Sequence, residues 1–295
     1  MAKVALLKAN LMRMHLVSKE LAPGSLLSMM DDLQTWYNEL PRQMRLVDLM
    51  RLEQNQNIRL SGCHVHLLHL GSMMLGYGRV AAEINQHFVR VPRRTTFSEQ
   101  DTSVLKGHCE QAVGAAAISA RIMNWFLKGN NISKRCWLIV FQAYTSCVIL
   151  LHSVAQKQVH EFVAHQWEEE LTDAAHCLRV LEFCGSLDTA AASFYKQLVS
   201  VYSQLDKLRA NPEATISKVV NLPTAEHSPA SSSHSSYLLT VPHSADSDPA
   251  LLSAFLLDML CDPFGNYLIR NTEEAINKQR EECATYPKVN LETRA

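Results

Sequence analysis

One short stretch, SGCHVHLLHLGSMMLGYGRV (61–80), brings three histidines and a cysteine together. Imidazole and thiolate groups are preferred zinc ligands in proteins. A strand would place His64 and His66 on one face, but the length and neighbours of the stretch favour a helix. At about 100° per residue, His64 and His66 point about 160° apart, and only His66 and His69 share a face. A structural zinc site needs about four ligands. We therefore interpret the stretch as a helix with histidines at its polar edge.

Two other pairs of metal-ligating residues have the wrong spacing for known sites. His160 and His165 are five residues apart, whereas a zinc-protease helix needs them four apart. Cys177 and Cys184 have no Cys-x2-Cys pairs beside them, so we interpret them as core thiols. The sequence also contains no nucleophile elbow, phosphate loop or Rossmann glycine pattern. An enzyme is not expected, and neither is a metal or cofactor in this chain.

Charge and cysteine content narrow the classes of partner. The 28 basic residues balance 29 acidic ones, giving a net charge of −1, which argues against an extended nucleic-acid-binding surface. The N-terminal apolar run is interrupted by Lys8 and Arg13, so it is a poor signal peptide. Eight irregularly spaced cysteines without a signal indicate reduced thiols in an intracellular protein.

One apolar run resembles a membrane span. It is CWLIVFQAYTSCVILL (136–151), which has polar residues inside it and on both sides. A spanning helix needs roughly 20 mostly apolar residues. We therefore interpret this run as a buried core helix and expect no membrane partner.

Apolar residues recur at steps of three and four along most of the first 210 residues. This pattern predicts helices, and no strand-like alternation is sustained. Gly185 is expected to end one helix and Asp188 to cap the next. The predicted fold class is all-α, an irregular multi-helix bundle. The earlier predicted helices cover roughly 26–40, 56–80, 98–129 and 134–160.

Composition divides the chain into three parts. Residues 1–210 form the predicted helical domain. Residues 211–250 are rich in Ser and Pro and are predicted to be a disordered linker, because they bury too little apolar surface to offset their ordering entropy. Residues 251–295 begin with a short amphipathic, acidic-hydrophobic segment. Two interpretations stay open for it: a helix docked on the domain, or a segment that folds on a partner.

Five elements together carry a family resemblance. DLQTWYNELPRQMRL resembles the signature of the fungal-specific transcription factor domain, the middle homology region of binuclear zinc-cluster transcription factors. The following elements of that family resemble, in order, HVHLLHLGSMMLGYGR, CEQAVGAAAISARIMNWF, CWLIVFQAYTSCVILLHSVA and AAHCLRVLEFCGSLDTAAASFYKQLVSVYSQL. No single motif is diagnostic, and the resemblance lies in their order and spacing over roughly 30–208. The zinc-cluster module, its basic linker and its coiled coil are missing. Residue 1 also corresponds to about the middle of the homology region, so an N-terminally truncated domain is expected. Two explanations stay open: a fragment of a longer factor, or a stand-alone protein that keeps only the regulatory domain.

The resemblance implies a regulatory function. A domain of this family would control transcription by RNA polymerase II through partner or effector binding, in the nucleus or shuttling with the cytoplasm. The implied partners are transcriptional coactivators, a homodimer partner and a small-molecule effector. No sequence-specific DNA contact is expected, because no element that reaches base edges is visible. Zinc is expected only in the missing cluster.

Two sets of residues receive candidate roles within this interpretation. An apolar effector pocket would be lined by Trp36, Trp125 and Trp137, although such aromatics are also ordinary core residues. In the C-terminal activation segment, apolar side chains would insert into a coactivator groove while acidic ones keep the segment soluble. The segment residues are Phe255, Leu256, Asp258, Met259 and Asp262.

Two other functions remain open. One is an all-α enzyme with an unrecognised site around His66 and His69. The other is a helical scaffold module without an effector.

Overall fold

The computed structural model describes residues 23–51, 56–78, 80–81, 99–210 and 248–261. Within these ranges the chain forms eight α-helices and two short 3-10 helices, and no strand. The predicted all-α bundle is therefore confirmed for this part of the chain. The predicted linker up to residue 247, the first 22 residues and residues 262–295 lie outside the described residues. The α-helices are α1 Pro23–Asn38, α2 Leu46–Arg51, α3 Gln56–Met74, α4 Glu99–Lys128, α5 Trp137–Val159, α6 Glu168–Gly185, α7 Thr189–Ala210 and α8 Pro249–Cys261.

The turn between α6 and α7 forms where the sequence predicted it. Helix α6 ends at Gly185, and Asp188 caps α7. The Asp188 Oδ1 atom accepts hydrogen bonds from the backbone N–H groups of Ala190 at 2.9 Å and Ala191 at 3.0 Å. These are two of the four N–H groups that a helix start leaves without an intrahelical partner. Both predicted boundary residues are thus confirmed.

Helices α4 and α5 both end in a left-handed residue that is not glycine. Asn130 has φ 53° and Glu161 has φ 56°. After α5, the N–H of Phe162 donates to the carbonyl of Lys157 at 2.9 Å, and the N–H of Glu161 donates to that of Gln158 at 3.1 Å. The same pair of bonds closes α4, so both ends are Schellman motifs.

Helix α5 lies at the centre of the bundle. It packs against α3, α4, α6, α7 and α8, and every residue from Ile139 to Ala155 is buried. Among the described residues it is the one helix long and apolar enough to cross a membrane, and 89% of its most apolar window is buried inside the protein. Its apolar character is therefore accounted for by neighbours on all sides, as the interpretation as a core helix predicted.

An ion pair joins α4 to α6. Asp173 is buried in α6, and its Oδ2 accepts a hydrogen bond from Nε of Arg121 at 3.0 Å. Nη2 of the same guanidinium lies 2.9 Å from Oδ2. Glu169 lies 3.3 Å from the same guanidinium. These contacts satisfy a carboxylate that would be costly to bury alone.

Helix α8 is docked on the domain. Its apolar residues belong to the same hydrophobic core as α3 to α7, and α5 is its principal neighbour. The carbonyl of Met259 accepts a hydrogen bond from the Tyr144 hydroxyl at 3.2 Å, and Gln156 Nε2 donates to Ser253 Oγ at 2.5 Å. At Gly78 a Cβ atom would lie 2.9 Å from the Leu260 Cβ, so the close approach requires glycine. Of the two interpretations of this segment, the structure has the docked helix.

Candidate functional site

His66 and His69 lie on one face of α3, as the helical spacing predicted, but that face is buried. Their exposed fractions are 2% and 5%. The expectation that the histidines lie at a polar edge is therefore wrong for these two. The reason is tertiary: α1 and the turn before α2 cover the face. His66 Nε2 lies 2.8 Å from the carbonyl oxygen of Met44 and donates a hydrogen bond to it.

Aromatic rings from α1 surround the two histidines. The Tyr37 ring stacks on His69 with a centroid distance of 5.4 Å and meets His66 edge-on at 5.9 Å. The Trp36 ring lies 5.0 Å from His69. Burial lowers the pKa of both imidazoles, and the neighbouring His66 lowers that of His69 further, to about 4. We call Trp36, Tyr37, His66 and His69 the α1–α3 ring cluster; its histidines are neutral at pH 7.

The ring cluster is poorly suited to hold a metal. His66 uses Nε2 on a backbone carbonyl, and the described residues contain no group of three or more His, Cys, Asp or Glu side chains placed around one point. His160 ends α5, and His165 lies in the separate 3-10 helix Ala164–Gln166, so the two are not on one helix. Cys177 and Cys184 are fully buried, which confirms them as core thiols.

His64 points away from the ring cluster and finds a partner that sequence reasoning missed. Its Nδ1 atom lies 2.8 Å from the carbonyl oxygen of Leu60, and its ring lies 4.9 Å from that of Phe126. Interaction with the Cys136 side chain at the start of α5 raises the pKa of this imidazole. The one local signal was that Cys136 immediately precedes the longest apolar run, at the position of a helix cap.

The three tryptophans of the predicted effector pocket have three different environments. Trp36 is 6% exposed and packs with Val65 beside the ring cluster. Trp125 is half-buried in α4, with the Arg59 guanidinium carbon 5.8 Å from its ring centroid. Trp137 is 48% exposed at the start of α5 and stacks on Phe141 at 6.1 Å. An effector pocket lined by all three stays a prediction.

The residues of the predicted activation segment divide by exposure. Phe255, Leu256 and Met259 are buried in this chain's own core, and Asp258 faces solvent. Asp262 lies outside the described residues. The apolar side chains that would enter a coactivator groove are therefore occupied when α8 is docked.

Two polar pairs are enclosed around α5. The Tyr77 hydroxyl and His152 Nδ1 are 2.9 Å apart, and Gln142 Nε2 donates to Ser119 Oγ at 2.9 Å. Burial lowers the pKa of His152 to about 4, and its Nε2 has no hydrogen-bond partner among the described residues. These pairs fix the register of α5 against α4 and against the segment that follows α3.

Comparison of the chain with protein-family models, with curated proteins and with solved structures gives no match.

Proposed function

We propose that the chain is the regulatory domain of a fungal zinc-cluster-type transcription factor. It would control transcription by RNA polymerase II in the nucleus, through partner or effector binding. Two observations support the proposal: the order of the five elements that resemble that family over roughly 30–208, and the docking of α8 on the bundle. The second carries more weight, because it supplies a physical means of regulation.

In this proposal the docked α8 is the restrained state of an activation segment. Release of α8 would free Phe255, Leu256 and Met259 for an apolar groove on a coactivator. Asp258 already faces solvent and would aid association with a basic surface. These side chains cannot pack in the bundle and enter a coactivator groove at the same time. The docked and released forms therefore exclude each other.

Release needs a ligand or partner that distinguishes the two forms. Each buried Leu, Phe or Met side chain contributes about 1.5–3 kcal/mol relative to exposure, so the docked form predominates in the isolated chain. A small molecule bound near α5, or a coactivator bound to free α8, shifts the balance only by its difference in affinity for the two forms. The implied effector therefore acts by competing with, or weakening, the contact between α5 and α8.

A reporter assay with the full chain fused to a heterologous DNA-binding domain tests this proposal. Ser253 is buried against Gln156, whereas the next residue, Ala254, is exposed. We expect Ser253→Arg to undock α8 and raise reporter activity, because arginine does not fit the buried position. The matched control Ala254→Arg should leave activity at the level of the unchanged fusion.

A second arm separates activation from misfolding. Adding Phe255→Ala to Ser253→Arg should remove the gain in activity, since Phe255 is proposed to contact the coactivator. The isolated segment 246–270 in the same fusion should activate without the bundle. Silence from both the segment and the Ser253→Arg chain would contradict the proposal.

Metal analysis and ligand titration separate the other two functions. Stoichiometric zinc or iron in the purified chain would favour an enzyme centred on His66 and His69. A chain whose α8 stays docked in the presence of every coactivator fragment and small molecule tested would favour the scaffold module.

A further inference from the structure

The loop that follows α5 presents apolar side chains to solvent. Val159 ends α5, and Phe162 and Val163 follow it in the loop. All three are exposed, Phe162 by 49% and Val163 by 55%. Single exposed apolar residues are ordinary on a protein surface, whereas a group of bulky ones marks a site of contact. We call Val159, Phe162 and Val163 the α5-end patch.

The α5-end patch belongs to a loop that is fixed in place. The N–H of Phe162 donates to the Lys157 carbonyl at 2.9 Å, and the Phe162 carbonyl accepts a hydrogen bond from Trp167 Nε1 at 3.3 Å. The Trp167 side chain is buried in the main core, and Lys157 Nζ donates to the Gln166 carbonyl at 3.0 Å. Both backbone groups of Phe162 are therefore held while its side chain is exposed. A surface that is already ordered loses little entropy on binding.

Helix α7 ends beside this patch. The α6–α7 turn is bonded to the loop before α5, because Lys134 Nζ donates to Ser186 Oγ at 2.8 Å. Near the other end of α7, the Leu205 carbonyl accepts a hydrogen bond from Gln158 Nε2 at 3.1 Å. The two helices are therefore parallel, and α7 continues from Leu205 to Ala210. A rise of about 1.5 Å per residue takes the end of α7 past the end of α5.

Helix α8 starts at the same end of the bundle and runs in the opposite direction. Tyr144, in the first half of α5, donates to the carbonyl of Met259, whereas Gln156, in the last turn of α5, donates to Ser253 Oγ. Helix α8 is therefore antiparallel to α5. Its start is fixed by Asp248, which accepts a hydrogen bond from a backbone N–H of the first turn.

Residues 211–247 thus leave the described bundle and return to it at the end that carries the α5-end patch. The most apolar five residues of this segment are YLLTV, 237–241, which include four bulky apolar side chains and no charge. Val241 is seven residues before Asp248, so the chain keeps it within about 25 Å of the start of α8. An apolar segment is therefore tethered close to an apolar surface.

We infer that the α5-end patch is a docking surface for residues 237–241 of the same chain. The Tyr and Leu side chains of this run cover Phe162 and Val163, and apolar surface is removed from water on both sides. Tethering favours this occupant over a separate partner, because a segment joined to the bundle beside the patch meets it at a high effective concentration. The inference does not depend on the function proposed above.

Photocrosslinking in the full chain identifies the occupant of the patch. Phe162 is replaced by p-benzoylphenylalanine, which an exposed position accommodates, and the crosslinked peptides are mapped by mass spectrometry. We expect crosslinks within one chain to peptides that contain 237–241. The same replacement at Leu187, which is exposed in the α6–α7 turn at the opposite end of the bundle, is the matched control and should give none to 237–241. Crosslinks from position 162 chiefly to 216–222 or to a second copy, or no crosslink within the chain, would overturn the inference.

Limited chymotrypsin digestion measures whether the segment is covered. Combining Phe162→Ser with Val163→Ser should speed cleavage after Tyr237 and Leu238 about tenfold, because the docking surface is lost. Leu187→Ser should leave that rate at the level of the unchanged chain. Cleavage of the unchanged chain at the same rate as the double variant would show that 237–241 is not docked. This result would overturn the inference.

Discussion

At the scale of single residues, the main feature is that histidines are used as buried neutral rings. His66, His69, His108 and His152 are all buried, and burial lowers the pKa of each. Two of them pack against α1 rings and one meets a tyrosine hydroxyl. His64 is the exception, since its pKa is raised by Cys136. The pKa of a histidine is therefore lowered in one environment of this protein and raised in another.

Acid should destabilise the fold before most carboxylates titrate. An unfolded histidine has a pKa of about 6.5, whereas folded His69 and His152 have values of about 4. The unfolded chain therefore binds more protons in this interval. The contribution of these two histidines to the free energy of unfolding is complete above about pH 6.5, and it is lost as the pH falls towards 4. Each of these two residues should remove about 2 kcal/mol at pH 5, measured by urea unfolding at pH 7 and pH 5.

A His69 variant tests how much of this loss of stability at acid pH comes from His69. His69→Phe keeps a ring against Trp36 and Tyr37 but cannot titrate, so the difference between pH 7 and pH 5 should shrink by about 2 kcal/mol. The exposed His160→Gln variant should keep the whole difference. A pH dependence unchanged by His69→Phe would contradict this account of His69.

Removing one buried hydroxyl should be costly. Tyr77→Phe deletes the 2.9 Å contact with His152 and leaves that imidazole without a partner on either nitrogen among the described residues. The free energy of unfolding should fall by about 1–3 kcal/mol. Tyr195→Phe is the matched change, because its hydroxyl makes a 3.4 Å contact at an exposed site. Chemical denaturation of both variants should show a clear loss for Tyr77 alone.

At the scale of helices, local sequence explains several of the helix ends, but not all of them. Asp188 and Asp248 both accept hydrogen bonds from N–H groups of the helices that follow them. Asn130 suits the left-handed end of α4, since asparagine tolerates that conformation better than most residues. Glu161 adopts the same conformation at the end of α5 without such a preference. The α5 end is therefore the more strained of the two.

Replacing the strained residue should stabilise the chain. Glu161→Gly removes the Cβ penalty of the left-handed conformation and should raise the free energy of unfolding by about 0.5–1 kcal/mol. Glu161→Ala retains a Cβ atom and should give no such gain. Thermal unfolding of the two variants side by side measures the difference. A glycine variant no more stable than the alanine variant would argue against strain at this residue.

At the scale of the whole molecule, α5 organises the bundle and α8 completes it. Five helices cover α5, so its apolar residues stabilise the folded chain on every side. Helix α8 lies far along the sequence from the helices it touches, yet it contributes Leu252, Phe255 and Leu256 to the common core. Its removal would expose a contiguous apolar face on α5, which is a typical cause of association.

Substitutions of two leucines in α8 test how strongly this helix is docked. Leu256 is fully buried and Leu251 is 59% exposed. Leu256→Ala should lower the free energy of unfolding by about 2–5 kcal/mol, through lost burial and a cavity. Leu251→Ala in the same helix should change it by less than about 0.5 kcal/mol. Hydrogen exchange should show faster exchange in α8 of the Leu256 variant. Equal effects from the two changes would mean that α8 is not docked in solution.

The sequence by itself predicted most of the helices, although it missed α2 and extended α3 from Met74 to about residue 80. Their periodicity, the Asp188 cap and the Gly185 end depend on neighbours within about four residues, so they can be predicted from the sequence alone. The shared face of His66 and His69 follows from the same geometry. The all-α class also follows from that periodicity. The core position of the 136–151 run was predicted from its polar interruptions, but its helix is long and apolar enough to cross a membrane, and its burial in the bundle is a tertiary fact.

Only the tertiary structure shows which elements pack against each helix face. No residue close to His66 and His69 in the sequence indicates that α1 covers them. The face that was expected to be a polar edge is therefore buried. The interaction of His64 with Cys136, and the docking of α8 on α5, join residues distant in the sequence. Such contacts depend on how whole helices pack, and helical spacing within one segment carries no information about which other segment will lie against it.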